Sequence, residues 1–232
     1  MLTVSGLESG YGESMVVRDV GFTLEPGRVT CLMGRNGVGK TTLLKTIMGV
    51  IRAKRGSVTW NGSELLGEPP SRRARAGIGY VPQGREIFPQ LTVEENVLLG
   101  LEADPRRARS KGVPPAVYER FPVLYEMRSR RGGDLSGGQQ QQLAFARALV
   151  SEPAMLLLDE PTEGIQPNIV QDIARLIGEL RAEGLAVLLV EQSVSFAREA
   201  ADAFLVLDKG TIAAQGGIDD LDEGIIHRHL TV

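Results

Sequence analysis

Cysteine is nearly missing from this sequence. The single one, Cys31, excludes an internal disulfide, and its place in the apolar stretch Val29–Met33 reads as a buried, reduced core thiol. Long apolar runs are missing too. Runs such as Ala154–Leu158 and Ala186–Val190 fall far short of the roughly 20 residues a spanning helix needs, so the chain is expected to serve a membrane only through partners. Met1-Leu2-Thr3-Val4 shows no basic stretch followed by an apolar run, so no secretory signal is expected. Nor is there an excess of positive charge. Against 29 Asp and Glu stand 26 Lys and Arg, a net charge of −3, which points away from a general nucleic-acid binder. No internal repeat is visible, and Gln139–Gln142 is too short for a low-complexity tract.

What is present suits an ordinary globular protein: 232 residues, 42% hydrophobic and 24% charged, enough for one large α/β domain or a domain with an inserted lobe. Leu2–Leu7, Gly21–Leu24 and Arg28–Met33 read as strands, separated by turns at Ser9–Gly12 and Glu25–Gly27. A glycine-rich loop, Gly34–Gly39, leads into a helix with Leu43, Leu44, Ile47 and Met48 on one face and Gly49 as its stop. Gly56–Asn61 and Gly77–Pro82 read as short strands. From Gln83 to Val150 the chain turns polar, Arg-rich around Arg106–Lys111 and broken by Pro114, Pro115 and Pro122; this reads as a helical lobe with mobile connections. Ala154–Leu158 and Leu185–Val190 are apolar enough for strands buried on both faces, with a helix between them carrying Ile169, Val170, Ile173, Leu176, Ile177 and Leu180 and ending near Gly184. Phe204–Leu207 and Thr211–Ala214 close the pattern as a hairpin turning at Asp208-Lys209-Gly210. Strands alternating with helices imply a mainly parallel sheet covered on both faces.

Three motifs carry chemistry. Gly34-Arg35-Asn36-Gly37-Val38-Gly39-Lys40-Thr41 fits G-x-x-x-x-G-K-[ST] between a strand and a helix. Its backbone amides can turn inward around phosphates, with the helix N-terminus adding its dipole. Lys40 supplies positive charge to the β- and γ-phosphates, and the Thr41 hydroxyl can ligate Mg²⁺. Met155–Leu158 ends in Asp159-Glu160, where Asp159 can hold Mg²⁺ through water and Glu160 can take a proton from, or orient, an attacking water. Leu135-Ser136-Gly137-Gly138-Gln139 opens a helix and forms a second anion site. One nucleotide cannot easily use both sites of one chain, but two chains set head to tail could bury two ATP molecules between them.

With these three motifs in this order the chain resembles the ABC-type ATPases, whose signature is LSGGQ. The resemblance covers nearly the whole chain. It implies a P-loop (RecA-like) α/β core with a mainly parallel sheet, an N-terminal antiparallel β-subdomain and an inserted α-helical subdomain. Residues 1–84 and 151–232 would form the core and 85–150 the insert. It implies ATP and Mg²⁺ as cofactors, with Thr42 joining the phosphate loop, Tyr11 stacking on adenine, and Ser136, Gly137, Gly138 and Gln139 completing the partner chain's site. Gln83 matches the residue that contacts Mg²⁺ and the attacking water. Two positions depart from the family pattern. Gln192 stands where most members carry a γ-phosphate histidine, and an amide can donate to phosphate but cannot titrate near neutral pH. Gln166 stands where an aspartate is usual at the dimer seam. The two histidines, His227 and His229, fall in the C-terminal tail, where solvated side chains are expected.

Val190-Glu191-Gln192 is similar to the branched-chain amino-acid and amide importer group. Arg130–Gln142 and Thr162–Pro167 look most like the urea-importer subunits. The resemblance therefore implies an ATPase at the cytoplasmic face of the membrane, driving uptake of urea, or alternatively of branched-chain amino acids or short amides. Its expected partners are a second ATP-binding subunit, permease subunits docked on the helical lobe and, indirectly, a solute-binding protein. A soluble ABC-type ATPase acting on DNA or ribosomes fits less well, since the chain has no room for coiled-coil insertions or a second cassette. A GTPase lacks its N-K-x-D motif here, and neither it nor a small-molecule kinase explains Leu135–Gln139. A module that binds ATP without hydrolysing it leaves Glu160 unexplained.

Overall fold

The computed structural model describes residues 1–103 and 112–231. The Arg-rich stretch Arg106–Lys111 lies outside them. The chain opens with a hairpin, β1 (Leu2–Tyr11) and β2 (Ser14–Leu24). The expected turn at Ser9–Gly12 is instead the end of β1, and the chain reverses at Gly12-Glu13. Gly10 serves a close approach there, for a Cβ on it would lie 2.0 Å from the Ser14 carbonyl oxygen, at a register shift between the strands. There follow β3 (Val29–Met33), α1 (Lys40–Ile47), β4 (Ala53–Trp60), β5 (Ser63–Glu64), α2 (Pro70–Arg75) and β6 (Ile78–Val81). Between β6 and β7 the described residues hold no named strand, only an isolated bridge between Thr92 and Arg131 and the helices α3 (Val93–Gly100), α4 (Pro115–Arg120), α5 (Pro122–Glu126) and α6 (Gly137–Leu149), with short 3-10 turns. The remainder is β7 (Met155–Asp159), α7 (Pro167–Ala182), β8 (Ala186–Val190), α8 (Val194–Ala200), β9 (Ala203–Asp208), β10 (Thr211–Gly217) and α9 (Glu223–His229).

These strands make two sheets. One is antiparallel, ordered β2-β1-β4-β5; the other is ordered β10-β9-β3-β8-β7-β6, parallel throughout except for the edge strand β10. Every residue of β3, β7 and β8 is buried, which is why these strands read as unbroken apolar runs. Successive side chains still point to opposite faces. Leu32, Leu157, Leu188 and Leu205 pack with Leu43, Leu44 and Ile47 of α1 beneath the antiparallel sheet. Cys31, Leu156, Leu158, Leu189 and Phe204 pack on the other side with α6, α7 and α8, in one core that also takes in Val93, Val97 and Leu124 of the helical insert. Burial pushes the Cys31 thiol far above its ordinary range, with Glu191 adding to the shift, so it is inert as a nucleophile.

Two side chains tie the periphery to this core. Asn96 of α3 accepts from the Phe88 amide at 2.8 Å and donates to the Phe88 and Thr92 carbonyls, both at 2.9 Å. Arg73 of α2 is 3% exposed, and burial lowers its pKa. Its guanidinium donates to the carbonyls of Thr46 (2.9 Å), Ile47 (2.6 Å) and Glu68 (3.0 Å), closing the C-terminal end of α1 with positive charge where the helix dipole favours it. Arg73→Met is expected to cost about 3 kcal/mol, since three carbonyls lose a charged donor in a buried place. In a chain of this size that lowers the melting temperature by roughly 6–12 °C, measurable by calorimetry. A loss under 2 °C would show that water replaces the guanidinium at little cost. At the other end of the chain His229 is not a solvated tail residue. α9 carries it back onto the β9–β10 hairpin, where its Nδ1 lies 3.1 Å from Asp208 Oδ2.

Candidate active site

Parallel pairing brings four loops to one edge. Val81 pairs with Leu158, Asp159 with Val190, and Leu32 with Val190, so the loops holding Gln83, Glu160, Gln192 and Gly34 all leave the sheet at its carboxyl end. Ligands bind at that edge in sheets of this kind. The Gly34–Gly39 loop keeps its shape through backbone that side chains would obstruct. Gly34 has φ 153°, and a Cβ there would sit 2.4 Å from the Leu207 carbonyl oxygen.

Glu160 is where the side chains meet. Its backbone is in the left-handed region, φ 49°, a strained setting for a non-glycine residue. Its amide donates to the Val190 carbonyl at 3.0 Å, which ties the loop after β7 to β8. Oε1 accepts from Gln192 Nε2 at 2.8 Å and lies 3.5 Å from Lys40 Nζ; Oε2 accepts from Gln83 Nε2 at 3.3 Å. Gln83 also donates to Glu163 at 2.9 Å. Lys40 is buried and donates to the carbonyls of Gly34 (2.9 Å) and Arg35 (3.1 Å).

Asp159 lies beside this cluster, fully buried. Its carboxylate accepts from the Thr41 hydroxyl at 3.2 Å and from the Tyr80 hydroxyl at 3.3 Å. Burial raises its pKa above the usual aspartate value, the Thr41 bond opposes this, and the charge of Glu160 adds to the rise. Thr41 and Asp159 are hard oxygen donors of the kind Mg²⁺ prefers. Among the described residues no group of three or more His, Cys, Asp or Glu could hold a metal alone. The donors therefore fit Mg²⁺ that takes its remaining ligands from phosphate and water, and do not fit a closed protein cage.

A cleft of about 400 Å³ is lined by Tyr11, Val16, Asn36, Gly37, Gly39, Lys40, Thr41, Thr42, Gln83 and Glu160. Tyr11 is 56% exposed at its mouth. Gly34 and Arg35 act from outside the lining, through the carbonyls that hold Lys40, and Val38 packs on the core below. Ser136 caps α6 through a reciprocal pair of bonds with Gln139, leaving the Gly137 and Gly138 amides without intrahelical acceptors. Ser136, Gly137, Gly138 and Gln139 line a separate cleft with Gly164, Ile165 and Gln166. Within one chain the structure does not bring the two anion sites together.

The sequence does not single out Tyr80, Glu163 or the half-buried pair Thr162–Glu191. Glu191 carried a readable signal, an apolar strand ending in an acid, as at Leu158-Asp159.

A strand, a phosphate-type loop, a helix and an acid pair ending a strand one place removed in the same sheet, with β8 between, define a P-loop ATPase core with a helical insert. The chain belongs to the ABC transporter family, whose sequence profile matches residues 17–163; it is an ATPase of a family that binds ATP with Mg²⁺. It is 42% identical to the high-affinity branched-chain amino acid transport ATP-binding protein BraG of Pseudomonas aeruginosa, over 91% of each chain. It is 35% identical to the lipopolysaccharide export system ATP-binding protein LptB of Haemophilus influenzae, over 93% of this chain and 90% of that one. Its fold matches the dimeric structure of MJ0796, a bacterial ABC transporter cassette, with a TM-score of 0.81 at 25% identity, over 94% of this chain and 99% of that one. Among the described residues no helix is long and apolar enough to cross a membrane.

Proposed function

We propose that this chain is the ATP-hydrolysing subunit of an importer for branched-chain amino acids or closely related small solutes, peripheral to the cytoplasmic face of the membrane. The 42% identity to BraG favours branched-chain amino acids over the urea reading, which rested on short phrases of sequence. For hydrolysis the carrying observation is the convergence of Lys40, Gln83 and Gln192 on Glu160.

Each residue has a part. Tyr11 stacks on adenine at the cleft mouth. The loop amides from Gly34 to Thr42 and the Lys40 ammonium hold the phosphates, Lys40 exchanging its carbonyl partners for phosphate oxygens. Thr41, Asp159 and Gln83 would hold Mg²⁺, which supplies charge neutralisation at the β- and γ-phosphates. Glu160 accepts the proton of the attacking water, and Gln192 passes from Glu160 to the γ-phosphate without a protonation step. The Ser136 cleft of a second, identical or related chain covers the same ATP. Closure therefore draws two chains together and hydrolysis weakens the seam. Residues 85–150 act as the helical subdomain on a core of 1–84 and 151–232. Permease subunits dock in the groove of about 390 Å³ where α2 and β6 face α3, lined by Met48, Ala74, Ile78 and Leu99. A solute-binding protein delivers the cargo to them.

The test is uptake of labelled leucine and of labelled urea, each at low concentration, by source cells with and without the gene. Loss of leucine uptake alone supports the reading. Loss of urea uptake alone restores urea as the solute. Loss of neither removes both solutes and leaves the ATPase.

A further inference from the structure

Asp159 and Glu160 end β7 at the nucleotide cleft. A third carboxylate, Glu191, directly follows β8 and does not line that cleft. It is 4% exposed. A carboxylate so placed weakens the fold unless it is bonded, and its bonds show what it holds. Oε1 accepts the Thr162 hydroxyl at 2.6 Å and the Thr162 amide at 3.2 Å; Oε2 accepts the Gln192 amide at 3.3 Å.

Thr162 stands two residues beyond Glu160, and Gln192 follows Glu191 directly. The loops after β7 and β8 are thus joined by two side-chain rungs. Glu160–Gln192 faces the cleft, and Thr162–Glu191, with Glu191 buried and Thr162 half-buried, lies outside its lining. If Gln192 leaves Glu160 for a phosphate, the Thr162–Glu191 rung is the one that remains. Glu160 needs such support, because its left-handed backbone persists only where neighbouring bonds hold it. Beyond Thr162 the same loop reaches Gly164, Ile165 and Gln166 in the Ser136 cleft.

We infer that Glu191 is a positioning residue for hydrolysis: by gripping the hydroxyl and amide of Thr162 it fixes the aim of the Glu160 carboxylate and holds the Gly164–Gln166 end of the loop against the Ser136 cleft. This rests on Glu160 accepting the water's proton, as proposed above. Misplacing a catalytic group by about 1 Å can cost 100-fold in rate. Neither Glu191 nor Thr162 lines the cleft that takes ATP, so the loss falls mainly on kcat and largely spares KM.

The experiment is steady-state ATP hydrolysis by the purified full chain, with ATP binding measured alongside to count competent subunits. Glu191→Leu lowers kcat per competent subunit by about ten- to a hundredfold, and KM for ATP stays within about twofold. Thr162→Val has nearly the parent's shape but no hydroxyl, and lowers kcat by about three- to tenfold. The double substitution is no slower than Glu191→Leu by more than about twofold, because both cut the same rung. Glu191→Gln, whose amide oxygen still accepts from Thr162, stays within about threefold of the parent. A Thr162→Val chain with unchanged kcat overturns the inference even where Glu191→Leu fails to fold, and so do losses that multiply in the double variant. Glu160→Gln is the control. If it too hydrolyses normally, the reading of Glu160 has failed; if it is inactive while Thr162→Val is normal, only the role of Glu191 has.

Discussion

Glu160→Gln is expected to lower the rate of ATP hydrolysis by about a hundred- to a thousandfold while leaving ATP binding in place. The carboxylate is the one proton acceptor among the cleft-lining side chains that also receives Lys40, Gln83 and Gln192. An amide of the same size keeps one oxygen for Gln192 but cannot take a proton from water. The second part of the expectation concerns assembly. On the proposed reading, phosphates at the Gly34–Gly39 loop are covered on one side only by their own chain, since Ser136 lines a different cleft. A second chain offering its Ser136 cleft is favoured as long as the γ-phosphate persists, and the variant preserves it. Light scattering of Glu160→Gln with ATP and Mg²⁺ should therefore show a dimer, with a monomer when ATP is withheld. Phosphate release within tenfold of the parent would remove Glu160 as the proton acceptor. A monomer under every condition would count against the shared-site mechanism.

Much of this arrangement is legible in the sequence, and the reason lies in burial. β3, β7 and β8 are covered on both faces, so their sequences are continuous apolar runs, and the motifs begin where the runs stop, at Gly34, Asp159 and Gln192. α7 was equally legible because its apolar positions recur at helical spacing and Ile173, Leu176, Ile177 and Leu180 are all buried. Legibility fails where a residue serves a partner distant in sequence. Gly10 looked like a turn glycine, but it admits Ser14 across a strand pair. Arg73 sits in an arginine-rich helix and gives no sign that it alone turns inward to α1. Glu191 binds a residue 29 positions earlier in the chain, and spacing does not encode that meeting. His229 reads as a tail residue because the contact that orders it, Asp208 at the end of β9, stands 21 positions earlier.

Asp159→Asn should separate stability from ligand response more sharply than any other single change in the cleft. In the parent chain the Asp159 carboxylate is fully buried, and burial holds its pKa above the ordinary value. Folding disfavours the ionised form, so the destabilisation is fully present above the raised native pKa and vanishes as pH falls below the ordinary aspartate value. Asparagine removes that charge, and the Thr41 and Tyr80 hydroxyls can rotate to pair with its amide. At neutral pH without nucleotide the variant should melt at or above the parent's temperature, and any advantage should shrink as the buffer is made acidic. With ATP the order reverses. Mg²⁺-ATP at about 100 times its dissociation constant stabilises the parent by about 2.7 kcal/mol, which raises its melting temperature by roughly 5–10 °C. The variant should lose most of the Mg²⁺-dependent part of that rise, because a neutral amide replaces the carboxylate that accepts from Thr41. Melting curves with ATP plus Mg²⁺ and with ATP plus chelator, run on both proteins across pH, measure both halves. A variant that keeps the full Mg²⁺-dependent rise would take the metal away from Asp159, and one that melts well below the parent in plain buffer would mean that the buried charge supports the fold it was expected to strain.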